Sequence, residues 1–380
     1  MTRAYLDHNA TAPLRAQARA AVQAAWETAG NPSSVHTEGR AARKIVENAR
    51  AVLAAFADVP PSAVIFTGGA TEANALALAG RPARRLLVSS VEHPSIREAF
   101  PEAVSIPVGT DGRVAIAALE ALLAADPRPA LVAVMAANNE TGILQPLAEV
   151  RAACDRHGAL LHVDAVQAAG RVPLSPIAAL ADSLSLSAHK IGGPTGVGAL
   201  ILREDRGLVP LLRGGGQERS RRAGTENVAG IAGFAAAVEA LEPEEAARLE
   251  KLRNGLENAI AATAPETVVI GREAPRLGNT SCLALPGASA ETLVMALDLA
   301  GFAVSAGSAC SSGKVKESAV LRAMGLPPAV AGAAVRISLG WTTSAAETEG
   351  FAKAWAALAA RRRDRAAAPA ALPEPHARRA

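Results

Sequence analysis

Lys190 is the residue whose chemistry stands out first. Only six lysines occur against 33 arginines, and the other five fall in charged, helix-like or loop contexts that read as surface. Lys190 instead follows the apolar run Ser183–Ser187 and precedes IGGPTGVG, so an amine sits at a strand end beside a glycine-rich loop. The tripeptide Ser187-Ala188-His189 adds polar groups at the same strand end. An amine desolvated in such a pocket holds its proton less tightly and is a natural Schiff-base former.

Asp164 ends the run Leu160–Val163, 26 residues before Lys190, with Gln167 one turn on. A carboxylate there can bind a metal, cap a helix or partner a protonated pyridine nitrogen, and in isolation the cap is the commoner use. Beside a Schiff-base lysine the third role gains weight, because pyridoxal phosphate enzymes pair a lysine with an Asp at the ring nitrogen. Upstream, Ala63–Thr67 runs into GGATEAN. Glycines followed by Ala70 and Thr71 at a helix start offer free N–H groups and a hydroxyl to a phosphate. Neither a Walker loop nor a GxGxxG fingerprint occurs, and Gly-Gly with a Thr is also an ordinary helix start.

His93, in SSVEHPSI, follows another strand. It is either a structural histidine or one that faces a cofactor ring and moves protons. Asn138, Asn139 and Glu140 follow the strand Ala130–Met135 and read by themselves as a capped turn. Cys310 lies in SAGSACSSGKVK, among small residues with Lys314 and Lys316 close by. That is the setting of a reactive thiolate, whereas Cys154 and Cys282 sit in apolar surroundings. Arg336 stands inside the apolar strand AAVRISLG, where an unpaired charge is costly, so a bidentate clamp on a carboxylate explains it best.

These residues need a frame. From Ala16 to Ala240 helical stretches alternate with short β-rich runs at Ala63–Thr67, Arg85–Ser89, Ala130–Met135, Leu160–Val163, Ser183–Ser187 and Ala199–Leu202. That alternation predicts an α/β domain with a mostly parallel sheet and its ligand at the strands' carboxyl ends. A smaller α+β unit follows the charged helix expected over Glu244–Ala262. The expected division is a large domain over 15–255 and a small one built from 1–14 and 256–360. The Arg/Ala/Pro-biased stretch 361–380 is expected to be disordered.

Composition narrows the classes further. Half of the 380 residues are apolar, aromatics are only 3%, and the net charge is +3. The last twenty residues hold six arginines against two acids, so the basicity belongs to the tail and the body is neutral. Neither a nucleic-acid surface nor a stacking platform is expected. Three cysteines in no CxxC spacing give no disulfide framework and no zinc site. No leader-like or membrane-spanning run is visible, so a cytoplasmic protein in a reducing compartment is expected.

The blocks YLDHNATAPL, GNPSSVHTEGRAAR, FTGGATEAN, EHPS, NNETGILQP, HVDAVQ, SLSAHKIGGPTGVGAL, GGGQERSRRAGTEN, GSACSSG and VRISLG resemble the cysteine desulfurases of the NifS/IscS type. They run in family order from Tyr5 to Gly340. The resemblance implies the aspartate aminotransferase fold (type I) and a pyridoxal 5'-phosphate cofactor. Lys190 would hold the cofactor, Asp164 would face its pyridine nitrogen and His93 would stack on its ring. Gln167 and Asn139 would contact the 3′ oxygen. Ala70, Thr71, Ser187 and His189 would bind the phosphate, joined by Thr225 of the partner subunit in a homodimer. Arg336, with Asn139, would bind L-cysteine. Cys310 would take the sulfur as a persulfide, release L-alanine and serve an iron–sulfur scaffold or another acceptor, such as tRNA thiolation. As a persulfide it would also ligate iron–sulfur species transiently. A selenocysteine lyase or another class V enzyme is the alternative. The Gly/Ser-rich stretch around Cys310 predicts a mobile loop, and the 26 residues from Cys310 to Arg336 resemble the long-loop branch of the family. His8 and Ala223 depart from the Tyr and Ser common in the family.

Overall fold

The computed structural model describes residues 3–81, 84–204, 207–307 and 318–367. The expected loop around Cys310 therefore lies outside the described residues. Seven strands form the larger sheet, in the order Val64–Thr67, Gly198–Leu202, Ser183–Ser187, Leu160–Asp164, Ala130–Ala133, Arg85–Ser89, Val104–Ile106. Gly198–Leu202 is antiparallel to both of its neighbours and every other pairing is parallel. The sheet is thus α/β and mostly parallel, as the alternation predicted. Its central strands are buried along their whole length; Ala130–Ala133 and Gly198–Leu202 accordingly read as continuous apolar runs, while Ser183–Ser187 alternates Ser and Leu and buries its serines as well. Val104–Ile106 carries too short an apolar signal to stand out and is an edge strand.

Helices cover the sheet and bury Val46, Leu53, Leu119, Val150 and Phe234 against it. A smaller antiparallel sheet runs Ser305–Ala306, Ala334–Ser338, Thr280–Ala284, Val268–Val269. It packs with Leu249, Leu256 and Ile260 of the helix Glu245–Thr263 in an apolar cluster of its own. The N-terminal strand Ala4–Tyr5 pairs in parallel with Phe302–Ala303.

One expectation is corrected. The final helix spans Ala345–Ala367, so the first seven residues of the stretch expected to be disordered are helical. Phe351, Trp355 and Ala359 anchor it in the smaller core. Once a helix is nucleated by tertiary packing, Arg and Ala extend it at little cost, being strong helix formers. Arg363 also pairs with Glu266 at 2.5 Å.

The block GGGQERSRRAGTEN holds a strained turn. Glu218, Arg219 and Ser220 have φ of 47°, 58° and 65°, the left-handed region that costs side-chain-bearing residues about 1–2 kcal/mol each. A buried ion pair holds it. The Arg50 guanidinium donates twice to the Glu218 carboxylate, both at 2.8 Å, and the Phe66 N–H donates to it at 3.0 Å. Glu218→Ala is expected to lower stability by about 3–5 kcal/mol, because Arg50 stays buried without its carboxylate. A urea midpoint within error of the parent protein would contradict that role.

Candidate active site

The loops leaving the carboxyl ends of the strands converge. Thr67 leads into Gly68-Gly69 and the helix Ala70–Ala79, Ser89 toward His93, and Ala133 toward Asn139. Asp164 is itself a strand end, and Ser187 leads into the short helix Ala188–Lys190. A cavity of about 900 Å³ lies over these ends, lined among others by Ala70, Thr71, His93, Asn139, Asp164 and Lys190. Gln167, Ser187, His189 and Arg336 line it as well. Ten of the expected site residues share this cavity when Lys190 is counted once, spread along the chain but joined by topology. Thr225 is exposed and lies outside it, and Cys310 lies outside the described residues.

Backbone shape lets the helix Ala70–Ala79 reach the cavity. Gly69, its N-terminal flank, has φ 150°, and a Cβ on Gly198 would sit 2.7 Å from the Gly69 carbonyl carbon. Glycine at both positions allows the close approach of helix start and strand. The first N–H groups of that helix then border the cavity, where an anion is favoured.

Lys190 Nζ donates to the backbone carbonyls of Asn9 at 2.7 Å and Ala10 at 2.8 Å. Asp164 is 6% exposed, and each of its oxygens is engaged. Oδ1 takes the Val166 N–H at 3.0 Å and Oδ2 takes Asn74 Nδ2 at 2.9 Å. A carboxylate only accepts, so Asn74 presents its amide nitrogen to Asp164 and its oxygen to the other side. That oxygen accepts from the Ser185 hydroxyl and from His162 Nε2, the latter at 3.0 Å. His162 therefore carries its proton on Nε2, and its Nδ1 accepts from Ser183 Oγ at 2.9 Å.

His93 Nδ1 accepts the Ser95 N–H at 3.1 Å, so the neutral ring keeps its proton on Nε2. Burial holds its pKa below the ordinary value, with Asp164 opposing and Lys190 reinforcing that shift. His189 is pushed to about 4 by burial and then by Lys190. Burial and then the Asp164 charge push the Glu92 carboxyl well above the usual carboxylate range. Glu92 Oε1 accepts the Met135 N–H at 2.6 Å.

Arg336 is not an unpaired charge waiting on a ligand. Its Nη2 donates to Asp7 Oδ1 at 2.7 Å and its Nη1 to the Asn139 carbonyl at 3.0 Å. Asp7, Asn9, Asn74, Glu92 and His162 are the residues that sequence reasoning missed. Asn74 had a visible signal, a lone amide in the apolar helix ATEANALALA. Burial pushes the Cys154 and Cys282 thiols up to about 12, so both stay protonated and inert, as their apolar contexts predicted. Among the described residues no three His, Cys, Asp or Glu side chains cluster as a metal site requires. No described helix is long and apolar enough to cross a membrane.

A mostly parallel seven-stranded sheet with a lysine, an aspartate and a helix start at its carboxyl ends defines the type I pyridoxal phosphate-dependent transferase fold. The comparisons agree. The family model Aminotransferase class-V matches residues 4–351. A cysteine desulfurase of Cereibacter sphaeroides is 45% identical over 92% of this chain and 94% of its own. An IscS-like cysteine desulfurase of Mycobacterium tuberculosis is 40% identical over 91% and 93%. A NifS-like protein of Rickettsia africae superposes with a TM-score of 0.86 at 33% identity, covering 93% of this chain and 98% of that one. The chain belongs to the class-V aminotransferase family, among the cysteine desulfurases of the NifS/IscS type.

The buried histidines make stability depend on pH. Burial pushes His162 to about 3 and His8 to about 4. In the unfolded chain each takes up a proton below about 6.5, while the folded protein keeps them neutral. Between those values the unfolded state binds more protons, so stability is complete above pH ~6.5 and falls as the pH drops. His162→Gln is expected to flatten that slope by up to about 1.4 kcal/mol per pH unit. Urea midpoints at pH 4.5, 5.5 and 6.5 measure it, and an unchanged slope would contradict the buried neutral ring.

Proposed function

We propose that the protein is a pyridoxal phosphate-dependent cysteine desulfurase that takes sulfur from L-cysteine and leaves L-alanine. The observation that carries this reading is the convergence of Lys190, Asp164, His93, Asn139 and Arg336 on one cavity. The residues fit the cofactor by their chemistry. They combine an amine, a buried ionisable carboxylate, an imidazole and the N–H groups of a helix start, in a cradle that requires glycine at 69 and 198. When bound, the cofactor supplies an electron sink for bond cleavage at the substrate's α- and β-carbons.

The chain's own groups do the rest. Lys190 holds the cofactor and moves the α-proton at Nζ. Asp164, kept in place by Asn74 and the Val166 N–H, keeps a proton on the ring nitrogen. Ala70, Thr71, Ser187 and His189 take the phosphate. Gln167 and Asn139 hold the ring oxygen. Arg336, aligned by Asp7, takes the substrate carboxylate.

Cys310 is the proposed sulfur acceptor. Its thiolate attacks the substrate sulfur, an S–S bond forms as the C–S bond breaks, and the carbon takes a proton to become alanine. Gly307 and Ala319, on the two sides of the segment that carries Cys310, both line the cavity. Cys154 and Cys282 are buried with thiols near 12 and do not compete. The enzyme works as a homodimer, with Thr225 of the partner subunit completing the phosphate site, and passes persulfide sulfur to iron–sulfur cluster assembly or a related acceptor.

Incubation with L-cysteine and dithiothreitol is expected to yield alanine and sulfide in equal amounts. Cys310→Ser should retain the cofactor and its spectral response to L-cysteine yet lose about 100-fold or more of alanine production, the scale of losing a catalytic group. Lys190→Ala should leave no cofactor fixed to the protein by borohydride, as read by mass spectrometry. Near-normal alanine production by Cys310→Ser would overturn the assignment of the nucleophile.

A further inference from the structure

A second cavity, of about 570 Å³, lies away from the active site between the helix Glu245–Thr263 and the turn 271–276. None of its lining residues is shared with the active-site cavity. Its size falls within the range of small-molecule sites. Its chemistry is uneven in a telling way.

On the helix, Arg253 and Glu257 are four residues apart and share a face. Glu257 is fully engaged: Arg276 grips it with two hydrogen bonds at 2.9 and 3.1 Å, and the Ser281 hydroxyl donates at 2.8 Å. Arg253 is left over. Its side chain is 7% exposed, and its only ion-pair contact among the described residues is Glu250 at 3.8 Å, a side chain that is 58% exposed. Its Nε is buried without a hydrogen-bond partner. Burial and then the neighbouring Arg276 work against its charge, and Glu257 and Glu250 offset them only in part. A guanidinium held this way is costly unless an acceptor completes it. Arg272 stands exposed at the edge of the same cavity, and Asn254 and Asn258 add amide donors and acceptors along the next row of the helix.

We propose that this cavity is a binding site for a small oxyanion, a carboxylate or a phosphate, held by Arg253 and Arg272 with Asn254 and Asn258 on its remaining polar groups. A guanidinium with free forked donors matches such groups in plane. The site also backs onto the active-site turn. The Leu144 N–H donates to the Pro275 carbonyl at 2.8 Å and the Leu277 N–H to Gly142 at 2.8 Å, and that same turn carries Asn139 and Glu140.

The test is thermal unfolding of the holoenzyme titrated with inorganic phosphate, with succinate, or with sodium chloride at matched ionic strength. The cofactor's absorbance is followed throughout, so that displacement at the cofactor's own phosphate site is seen separately. Phosphate, succinate or both should raise Tm beyond the chloride control, in a saturable way and without cofactor loss. A response to phosphate alone assigns a phosphoryl ligand, a response to succinate alone assigns a carboxylate, and a response to both supports the shared oxyanion class. Arg253→Met should weaken the half-saturation about tenfold or more, the size of a lost charged hydrogen bond. It should also raise Tm in anion-free buffer, since a buried charge that Glu257 and Glu250 offset only in part is gone. Arg272→Ala, at an exposed position, should weaken binding several-fold and keeps the test available if the first variant does not fold. Equal responses to all three salts, or unchanged half-saturation in the folded variants, would overturn the proposal.

Discussion

Asn9 is the joint on which the active site depends. Its backbone carbonyl accepts from Lys190 Nζ at 2.7 Å and from Gln167 Nε2 at 3.0 Å, so one oxygen positions two groups of the larger sheet. Its N–H donates to Ser338 Oγ, and its amide nitrogen donates to Thr280 Oγ1 and to the Asn139 carbonyl. Its amide oxygen accepts from Asn279. A buried polar group that lost these partners would carry a desolvation penalty of about 1–3 kcal/mol each, so the network closes in one arrangement or not at all. The N-terminal segment thereby holds the smaller sheet, with Arg336, over the strand ends of the larger one.

A second network works beneath the cavity. Asn74 stands between a carboxylate that only accepts and a set of donors, and this fixes the orientation of its amide. His162 and Ser185 are thus devoted to holding Asn74, and Asn74 to holding Asp164. Deep burial keeps His162 neutral. His162 therefore presents no positive charge to Asp164 through Asn74. Burial and then the Asp164 charge hold the neighbouring Glu92 carboxyl well above the usual carboxylate range.

Charge placement follows a common rule across the protein. Arg50 with Glu218, Arg276 with Glu257 and Arg336 with Asp7 are all arginine–carboxylate pairs in which the arginine side chain is at most 6% exposed. Arg50 with Glu218 and Arg336 with Asp7 tie together segments 168 and 329 positions apart, while Arg276 with Glu257 spans 19. Arg253 differs from these three, since its nearest carboxylate is the exposed Glu250 at 3.8 Å.

Much of this was legible in the sequence. The strand ends, Lys190, Asp164 and the Gly-Gly helix start each leave a local mark: an apolar run closed by one polar residue, or glycines before a capping hydroxyl. Because a parallel sheet places all such ends on one edge, local marks sufficed to collect the site. The partners of those residues were not legible. Asp7 meets Arg336 across 329 positions and Asn9 meets Thr280 across 271, and nothing local in DHN says which carbonyl or guanidinium it will face. The same holds for the helix that continues to Ala367: composition alone described Arg and Ala without a core, and only the burial of Phe351 and Trp355 decided that they would coil. Residue type and spacing determined the chemistry available, while the orientation of each group was set by contacts that exist only once distant segments are packed together.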